Sequence, residues 1–345
     1  MRIAGRSIGR DHAPFVIAEV AQSHEGSLGN AFAFAEVARD CGANAIKFQT
    51  HIAAEESTPA EPWRIPFSKQ DASRYEYWRR MEFTFDQWAE LKAHCDRLGI
   101  VFLSSPFSIE ACRWLDRLNV PAWKVASGEI HNPELTEFMI ASGRPILLST
   151  GLASPDEGIG AARSIAARGS DVALFHCTTQ YPTPPDQEGL NVLSDYIAAL
   201  DPIPVGLSDH SGTEAAGTIA SYLGASLLEV HLTLHEKAFG PDVSSSLTPD
   251  ALARLVIASR NAWAMRQNPV DKAAQLGDLQ KVRAVFTRSL VAARDIAAGE
   301  TITREHIAYK KPAGGMGYEQ IDTLVGRRAT RAIARDQQFE SRDAE

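Results

Sequence analysis

PILLSTGLASPDEGIGAARSIAARGSDVALFHC, residues 145–177, decides the fold. Ile146–Leu148 and Val172–Phe175 are short, unbroken apolar runs, the pattern of strands buried on both faces. Between them, Ser154-Pro155 places a capping hydroxyl ahead of a proline suited to the first helical turn. Apolar residues then recur at three- and four-residue spacing as far as Arg168. Strand, helix and strand in so short a span make a βαβ unit with a parallel pair.

The same unit repeats in both directions. Further strand-like runs are Phe15–Ala18, Ala45–Phe48, Val101–Leu103, Ala122–Val125, Ile203–Leu207 and Leu227–Val230. With the two runs already quoted these make eight strands, and helical periodicity follows each of the eight, near 28–41, 84–98, 108–118, 133–141, 155–168, 190–199, 213–223 and 248–267. Asn132-Pro133 repeats the cap-and-proline start, and Gly99 and Gly224 sit where helices should stop. Eight βα units predict an α/β fold, a TIM (β/α)8 barrel over residues 1–267. A doubly wound sheet more often uses fewer strands. The connection from about 51 to 83 is too long for an ordinary βα loop and carries Trp63, Tyr75, Tyr77 and Trp78. It is expected to wall or cover the site.

After Gln267 the pattern changes. Residues 268–283 are polar and alanine-rich and read as a linker. Residues 284–345 break into short β-prone runs around the Ala298-Gly299-Glu300 turn and read as a small β-rich domain. The whole chain has 345 residues, 35 Lys plus Arg against 43 Asp plus Glu, and a formal charge of −8. That balance argues against nucleic acid as a partner. No run is long and apolar enough for a membrane helix, and the N-terminus lacks a signal-peptide core. Cys41, Cys95, Cys112 and Cys177 form no CxxC pair and read as reduced thiols of a cytoplasmic protein.

In a TIM barrel, chemistry collects at the C-terminal ends of the strands. Those ends supply Glu19 with His24; Lys47 and Gln49; Ser104 and Ser105; and Lys124, Ser127 and Glu129. The later strands supply Ser149 and Thr150; His176 with Tyr181; Ser208, Asp209 and His210; and His231. Lysines inside the strand patterns AIKFQ and AWKVASGE are costly to bury unless they face a functional mouth. Lys47, Lys124, Ser127 and Ser149 are donors suited to phosphate or carboxylate. His210 and His231, on neighbouring strands, form an imidazole pair suited to a divalent transition metal. Glu19 and Glu129 are carboxylates for general base or metal partner, and Asp209 could orient an imidazole. No GxGxxG follows the first strand and no GxxxxGK[ST] occurs, so dinucleotide and P-loop sites lack support.

The phrases FVIAEVAQSHEGS (15–27), GANAIKFQT (42–50), FLSSPFS (102–108), AWKVASGE (122–129) and FHCTTQYPTP (175–184) together resemble the sialic acid synthases. So do GLSDHSG (206–212), LEVHLT (228–233) and GPDVSSSLTP (240–249). RSLVAARDIAAGETITREHI (288–307) resembles the SAF, or antifreeze-like, domain of those enzymes. The resemblance implies a homodimeric enzyme condensing phosphoenolpyruvate (PEP) with an open-chain N-acetylated hexose and releasing phosphate. N-acetylmannosamine or a 2,4-diacetamido relative, as in legionaminic and pseudaminic acid synthesis, is the implied acceptor.

It implies that Lys47, Lys124, Ser127 and Ser149 hold PEP, that Gln49 and Ser208 also bind substrate, and that Glu19, Lys47, Glu129 and His231 are catalytic. His210 and His231 would hold Mn²⁺, or Mg²⁺ or Co²⁺ in its place. Glu19 would handle the proton of the attacking water, Tyr181 and Asp242 would contact the sugar, and Lys311 would reach the partner's sugar site.

Departures fall on the sugar side. Ser23 replaces a usual asparagine before His24, and Thr179 another. Val230 stands for a basic residue, and Lys311-Pro312-Ala313 for Arg-Pro-Gly. Three rivals remain: a KDO 8-phosphate or DAHP type of PEP condensing enzyme, a non-catalytic sugar-binding relative, and a metal-dependent class II aldolase. The first would need a second basic cluster for a phosphorylated acceptor.

Overall fold

The computed structural model describes all 345 residues. By itself, Met1–Asn268 is one compact unit and Pro269–Glu345 another. Eight strands of the first form its barrel: β1 (Phe15–Ala21), β2 (Ala45–Thr50), β3 (Val101–Pro106), β4 (Trp123–Val125), β5 (Ile146–Ser149), β6 (Val172–Cys177), β7 (Val205–Asp209) and β8 (Leu227–Leu232). All pair in parallel, in the order β3-β2-β1-β8-β7-β6-β5-β4. β3 and β4 lie alongside each other without a hydrogen-bonded register. The TIM-type barrel is therefore nearly closed, and the seam falls beside β4, whose three residues offer little backbone to pair.

Helices follow the strands as α1 (Leu28–Asp40), α2 (Phe85–Leu98), α3 (Ile109–Arg117), α4 (Pro133–Ala141), α5 (Pro155–Ala167), α6 (Leu190–Leu200), α7 (Ala215–Leu223) and α8 (Pro249–Gln267). The caps read from sequence are made. Ser154 Oγ accepts from Glu157 N, Asn132 accepts from Leu135 N, and Gly99 and Gly224 end their helices in the left-handed region. Strand residues of one parity, such as Val16, Ala18, Ile46, Leu148 and Leu228, pack outward against the helices.

The other parity faces the barrel axis, and its chemistry changes along the strand. Near the N-terminal end the interior is Phe15, Ile17, Ala45, Leu103, Leu147, Ala173 and Leu227, joined by Ile3 and Ile8 of the chain's first residues. One or two pleats further on, the same faces carry Glu19, Lys47, Ser105, Lys124, Ser149, Ser208, Glu229 and His231. The apolar layer fills the barrel, and the polar layer forms its mouth.

In the second unit, β9 (Ser289–Ala292) pairs antiparallel with β10 (Ile307–Lys310) around Leu290, Ile302, Leu324 and Phe339. The stretch 268–283, read as a linker, falls almost wholly in this unit and holds helix Lys272–Asp278 and the start of helix Gln280–Phe286, whose residues are all exposed. No helix is long and apolar enough to cross a membrane.

Candidate active site

Register places the first reacting groups. Glu19 of β1 lies opposite Lys47 of β2 on one side and His231 of β8 on the other. Glu229, one pleat before His231, lies opposite Ser208 of β7. These groups meet inside the mouth. Lys47 Nζ sits 2.7 Å from Glu19 Oε2 and 3.5 Å from Glu229 Oε1, and donates to Ser105 Oγ at 3.3 Å. Lys124 Nζ is 3.6 Å from the same Glu229 oxygen and donates to Ser149 Oγ at 2.5 Å. Ser208 Oγ donates to Glu229 Oε1 at 3.3 Å. Two ammonium groups and two carboxylates thus share one buried, charge-balanced layer.

Electrostatics follow from that layer. Burial pushes the Glu19 carboxyl up to about 7, opposed by Lys47 and helped by Glu229. Burial also works against charge on Lys47, but Glu19 and Glu229 outweigh it and hold its pKa above the ordinary value. Lys124, buried with one carboxylate neighbour, is pulled below its ordinary value. Glu229 is held low because Lys124 and Lys47 overcome its burial. The ammonium charges point into a cavity of about 380 Å³ that opens at the mouth.

Of the barrel positions singled out from sequence, Glu19, Lys47, Gln49, Ser105, Lys124, Ser127, Glu129, Ser149, Tyr181, Ser208, His210 and His231 line that cavity, whereas His24, Ser104, Thr150, His176, Asp209 and Asp242 do not. Gln49 Nε2 donates to Glu19 Oε1 at 2.9 Å. Ser127 Oγ accepts from Gly151 N at 3.0 Å, a close approach that leaves no room for a Cβ at residue 151. Glu129 accepts from Asn132 at 2.8 Å and stays half-buried at the rim. Asp242 lines an adjoining pocket, where its carboxylate meets Arg64 at 3.3 Å. Lys311 belongs to the second unit, its ammonium 5.2 Å from the Phe286 ring centroid.

The imidazole pair fits a divalent ion in its chemistry. The rings of His210 and His231 are 5.3 Å apart. Burial, with His231 adding to it, holds His210 down at about 3; burial and Lys47 hold His231 at about 4. Both are neutral at physiological pH, the form that ligates metal. His210 Nδ1 lies 2.8 Å from the Thr178 carbonyl, which orients the ring and leaves Nε2 as the available lone pair; Nε2 meets the Tyr181 hydroxyl at 3.0 Å. No group of three or more His, Cys, Asp or Glu side chains converges here or elsewhere.

Two histidines expected at the mouth belong to the core. His24 is fully buried with its ring 4.7 Å from that of Phe83, and Nδ1 accepts from Gly26 N. The chain turns back there through positive φ at Glu25 and Gly26, which carries the ring away from the cavity. His176 is tied to the Glu188 carbonyl at 2.8 Å and packs on Tyr196.

The sequence reading missed Glu229, whose inward pleat shared with His231 was its only signal. It also missed what the long loop brings to the mouth. His51 is stacked between Trp78 and Phe107, with Nδ1 2.5 Å from Glu56. Arg64 lies over the Tyr181 ring at 4.5 Å.

Against that geometry, residues 34–271 match the NeuB family and residues 287–340 match the SAF domain. The chain belongs to the NeuB family. It is 32% identical over 338 residues to N-acetylneuraminate-9-phosphate synthase of Mus musculus, covering 96% of this chain and 93% of that protein. It is 31% identical to N,N'-diacetyllegionaminic acid synthase of Campylobacter jejuni, covering 93% and 97%. Among solved structures, the N-acetylneuraminic acid synthetase of Leptospira borgpetersenii superposes with a TM-score of 0.71 at 26% identity, covering 81% of this chain and 95% of that one. NeuB-family proteins are enzymes, and the barrel with its following SAF domain is their architecture.

Proposed function

We propose that this NeuB-family enzyme condenses PEP with an open-chain N-acetylated hexose and water, giving a nonulosonic acid and inorganic phosphate. The buried Lys47–Lys124 pair, held by Glu19, Glu229, Ser105 and Ser149 at the floor of the cavity, carries this reading. A small dianionic substrate needs two fixed cations in a place that water does not screen, and this floor supplies them. The supporting relatives are, by their names, synthases of N-acetylneuraminate 9-phosphate and of N,N'-diacetyllegionaminic acid.

In the reaction, Lys47, Lys124, Ser127 and Ser149 hold the phosphate and carboxylate of PEP, and Gln49 and Ser208 fix their neighbours. Holding both substrates in line removes much of the entropic barrier. Carbon C3 of PEP attacks the aldehyde carbon of the sugar, and C2 gains cationic character. Water adds at C2 while Glu19, poised near neutrality, takes its proton. The tetrahedral intermediate then loses phosphate by C–O cleavage. A divalent ion, Mn²⁺ with Mg²⁺ or Co²⁺ as substitutes, would be held by His210 and His231 and would supply Lewis-acid polarisation of the aldehyde. Tyr181 and Asp242 face the sugar.

The enzyme works in the cytoplasm as a homodimer, with Lys311 of the SAF domain serving the partner's sugar site. Phosphate release from PEP, measured with N-acetylated hexoses beside arabinose 5-phosphate and erythrose 4-phosphate, tests the reading. Release with an N-acetylated hexose, lost with EDTA and in His231→Ala, is the expected result. Release with arabinose 5-phosphate or erythrose 4-phosphate alone would place the enzyme in the KDO 8-phosphate or DAHP class instead.

A further inference from the structure

One buried ionisable pair at the cavity has no part in the chemistry above: His51, just past the end of β2, and Glu56 of the long connection. Their side chains are only 5% and 7% exposed. The His51 ring is held flat between Trp78 and Phe107, with centroids 4.1 and 4.4 Å away at interplanar angles of 16° and 9°. Trp78 is itself tied down, its Nε1 donating to Glu61 at 2.9 Å. A ring stacked on both faces directs its hydrogen bonds only within its own plane.

Both nitrogens in that plane face oxygens. Nδ1 lies 2.5 Å from Glu56 Oε1, and Nε2 lies 3.2 Å from Gln49 Oε1. Gln49 turns its oxygen this way because its Nε2 donates to Glu19 Oε1 at 2.9 Å. An amide oxygen brings no proton, so His51 Nε2 carries one and donates it to Gln49. A neutral imidazole has a single N–H, so a second proton lies between Nδ1 and the Glu56 carboxyl. The other Glu56 oxygen accepts from Ile52 N at 3.3 Å, which fixes the carboxyl in turn.

Gln49 decides what Glu19 meets. An amide can present its NH2 or its oxygen to a neighbour with almost the same shape. With the NH2 toward it, Glu19 is held as an acceptor, ready to take a proton. With the oxygen toward it, the protonated acid is favoured, a form already spent as a base. Gln22 Nε2 also reaches Gln49 Oε1, at 3.3 Å, but Gln22 is a reversible amide itself. His51, stacked on both faces and pinned at Nδ1, offers Gln49 a donor and nothing else.

We propose that His51 and Glu56 are positioning residues for the condensation: the pair fixes the amide of Gln49, and Gln49 keeps the Glu19 carboxylate accepting. The inference rests on the synthase reading for the use made of Glu19, whereas the order of hydrogen bonds does not.

His51→Phe keeps the aromatic stack and deletes both nitrogens. Its kcat for phosphate release should fall about tenfold or more, as for a misaligned reacting group, while PEP affinity measured by calorimetry stays at the wild-type value and shows the variant folded. Glu56→Gln is the conservative counterpart. Its amide oxygen can keep Ile52 N while its NH2 donates to Nδ1, so Nε2 still donates to Gln49, and kcat should stay several-fold above that of His51→Phe. An unchanged kcat in His51→Phe, or an equal loss in both variants, overturns the proposal. Histidine ¹⁵N NMR of the full chain reads the hydrogen-bond order without turnover. The Nε2 signal of His51, assigned by its loss in His51→Phe or His51→Gln, is expected to be that of a protonated nitrogen in the wild type and in Glu56→Gln. An unprotonated Nε2 overturns the proposal whatever the activity. A protonated Nε2 in protein that releases no phosphate with any acceptor would sink the synthase reading and leave the positioning of Gln49 standing. Equal release by wild type and His51→Phe would do the reverse.

Discussion

Glu229→Gln probes the charge layer most sharply. The carboxylate is 5% exposed and its Oε1 stands 3.5 and 3.6 Å from two lysine ammonium groups that are themselves about 3% exposed. At an effective dielectric near 20, each such pair amounts to about 5 kcal/mol of Coulomb attraction. Desolvation offsets most of it, and breaking a buried charge set by removing one member typically costs roughly 3–5 kcal/mol. Glutamine keeps the volume and can still accept from Ser208, so no cavity term is added and the lower end, about 3 kcal/mol, applies.

At roughly 2–4 °C per kcal/mol for a domain of this size, thermal unfolding without ligand should shift down by about 6–12 °C. PEP or phosphate restores negative charge beside Lys47 and Lys124, so saturating PEP should raise the variant's Tm more than the wild type's. Differential scanning calorimetry with and without PEP reads both effects. A wild-type Tm in the variant, or an equal PEP increment in the two proteins, would refute the shared charge layer.

Other consequences follow from the same geometry. With Glu19 at about 7, kcat/KM should rise through an apparent pKa near 7, a value that belongs to the coupled layer. That limb should vanish in Glu19→Gln, whose rate should fall at least about a hundredfold. Folded Glu19 keeps a proton that the unfolded chain sheds at about 4.5, so its contribution to stability declines as pH rises from 4.5 to 7. His24 and His210 at about 3 and His231 at about 4 act oppositely: the unfolded chain binds protons below pH 6.5 that the folded chain refuses. Glu188, also pushed up to about 7 by burial, acts with Glu19, but three histidines outweigh these two carboxyls, so urea midpoints of the metal-free protein should be lower at pH 5 than at pH 7; a higher midpoint at pH 5 would contradict the histidines' burial. Gly151→Ala drives a Cβ against the Thr179 hydroxyl and to 2.8 Å from Ser127 Oγ. The KM for PEP should rise by about tenfold or more, and an unchanged KM would remove Ser127 from the PEP site.

Much of the barrel was legible because its strands are buried on both faces. Such strands read as unbroken apolar runs, and proline after a capping side chain marks helix starts without help from tertiary context. The strand ends could be named as the mouth by rule, and Lys47 and Lys124 stood out because a lysine inside an apolar run needs a reason. Glu229 did not stand out: LEVHLT places it two residues before a conspicuous histidine, and its partners Lys47 and Lys124 are distant in sequence. Only closure of the barrel, with β8 beside β1, brings them together. His24 misled for a local reason, since its strand bulges and the next residues turn back through positive φ. Tyr77 could be named only as one aromatic of a loop expected to wall the site, and Arg64 was beyond reach, because loop residues carry no periodicity and their directions are fixed only by packing.

PEP labelled with ¹⁸O at the bridging C–O–P oxygen tests the central claim most directly. With an N-acetylated hexose, the account predicts one phosphate per nonulosonic acid, with the label wholly in phosphate and the new C2 oxygen drawn from water. Label retained in the sugar product, or condensation without phosphate release, would contradict it.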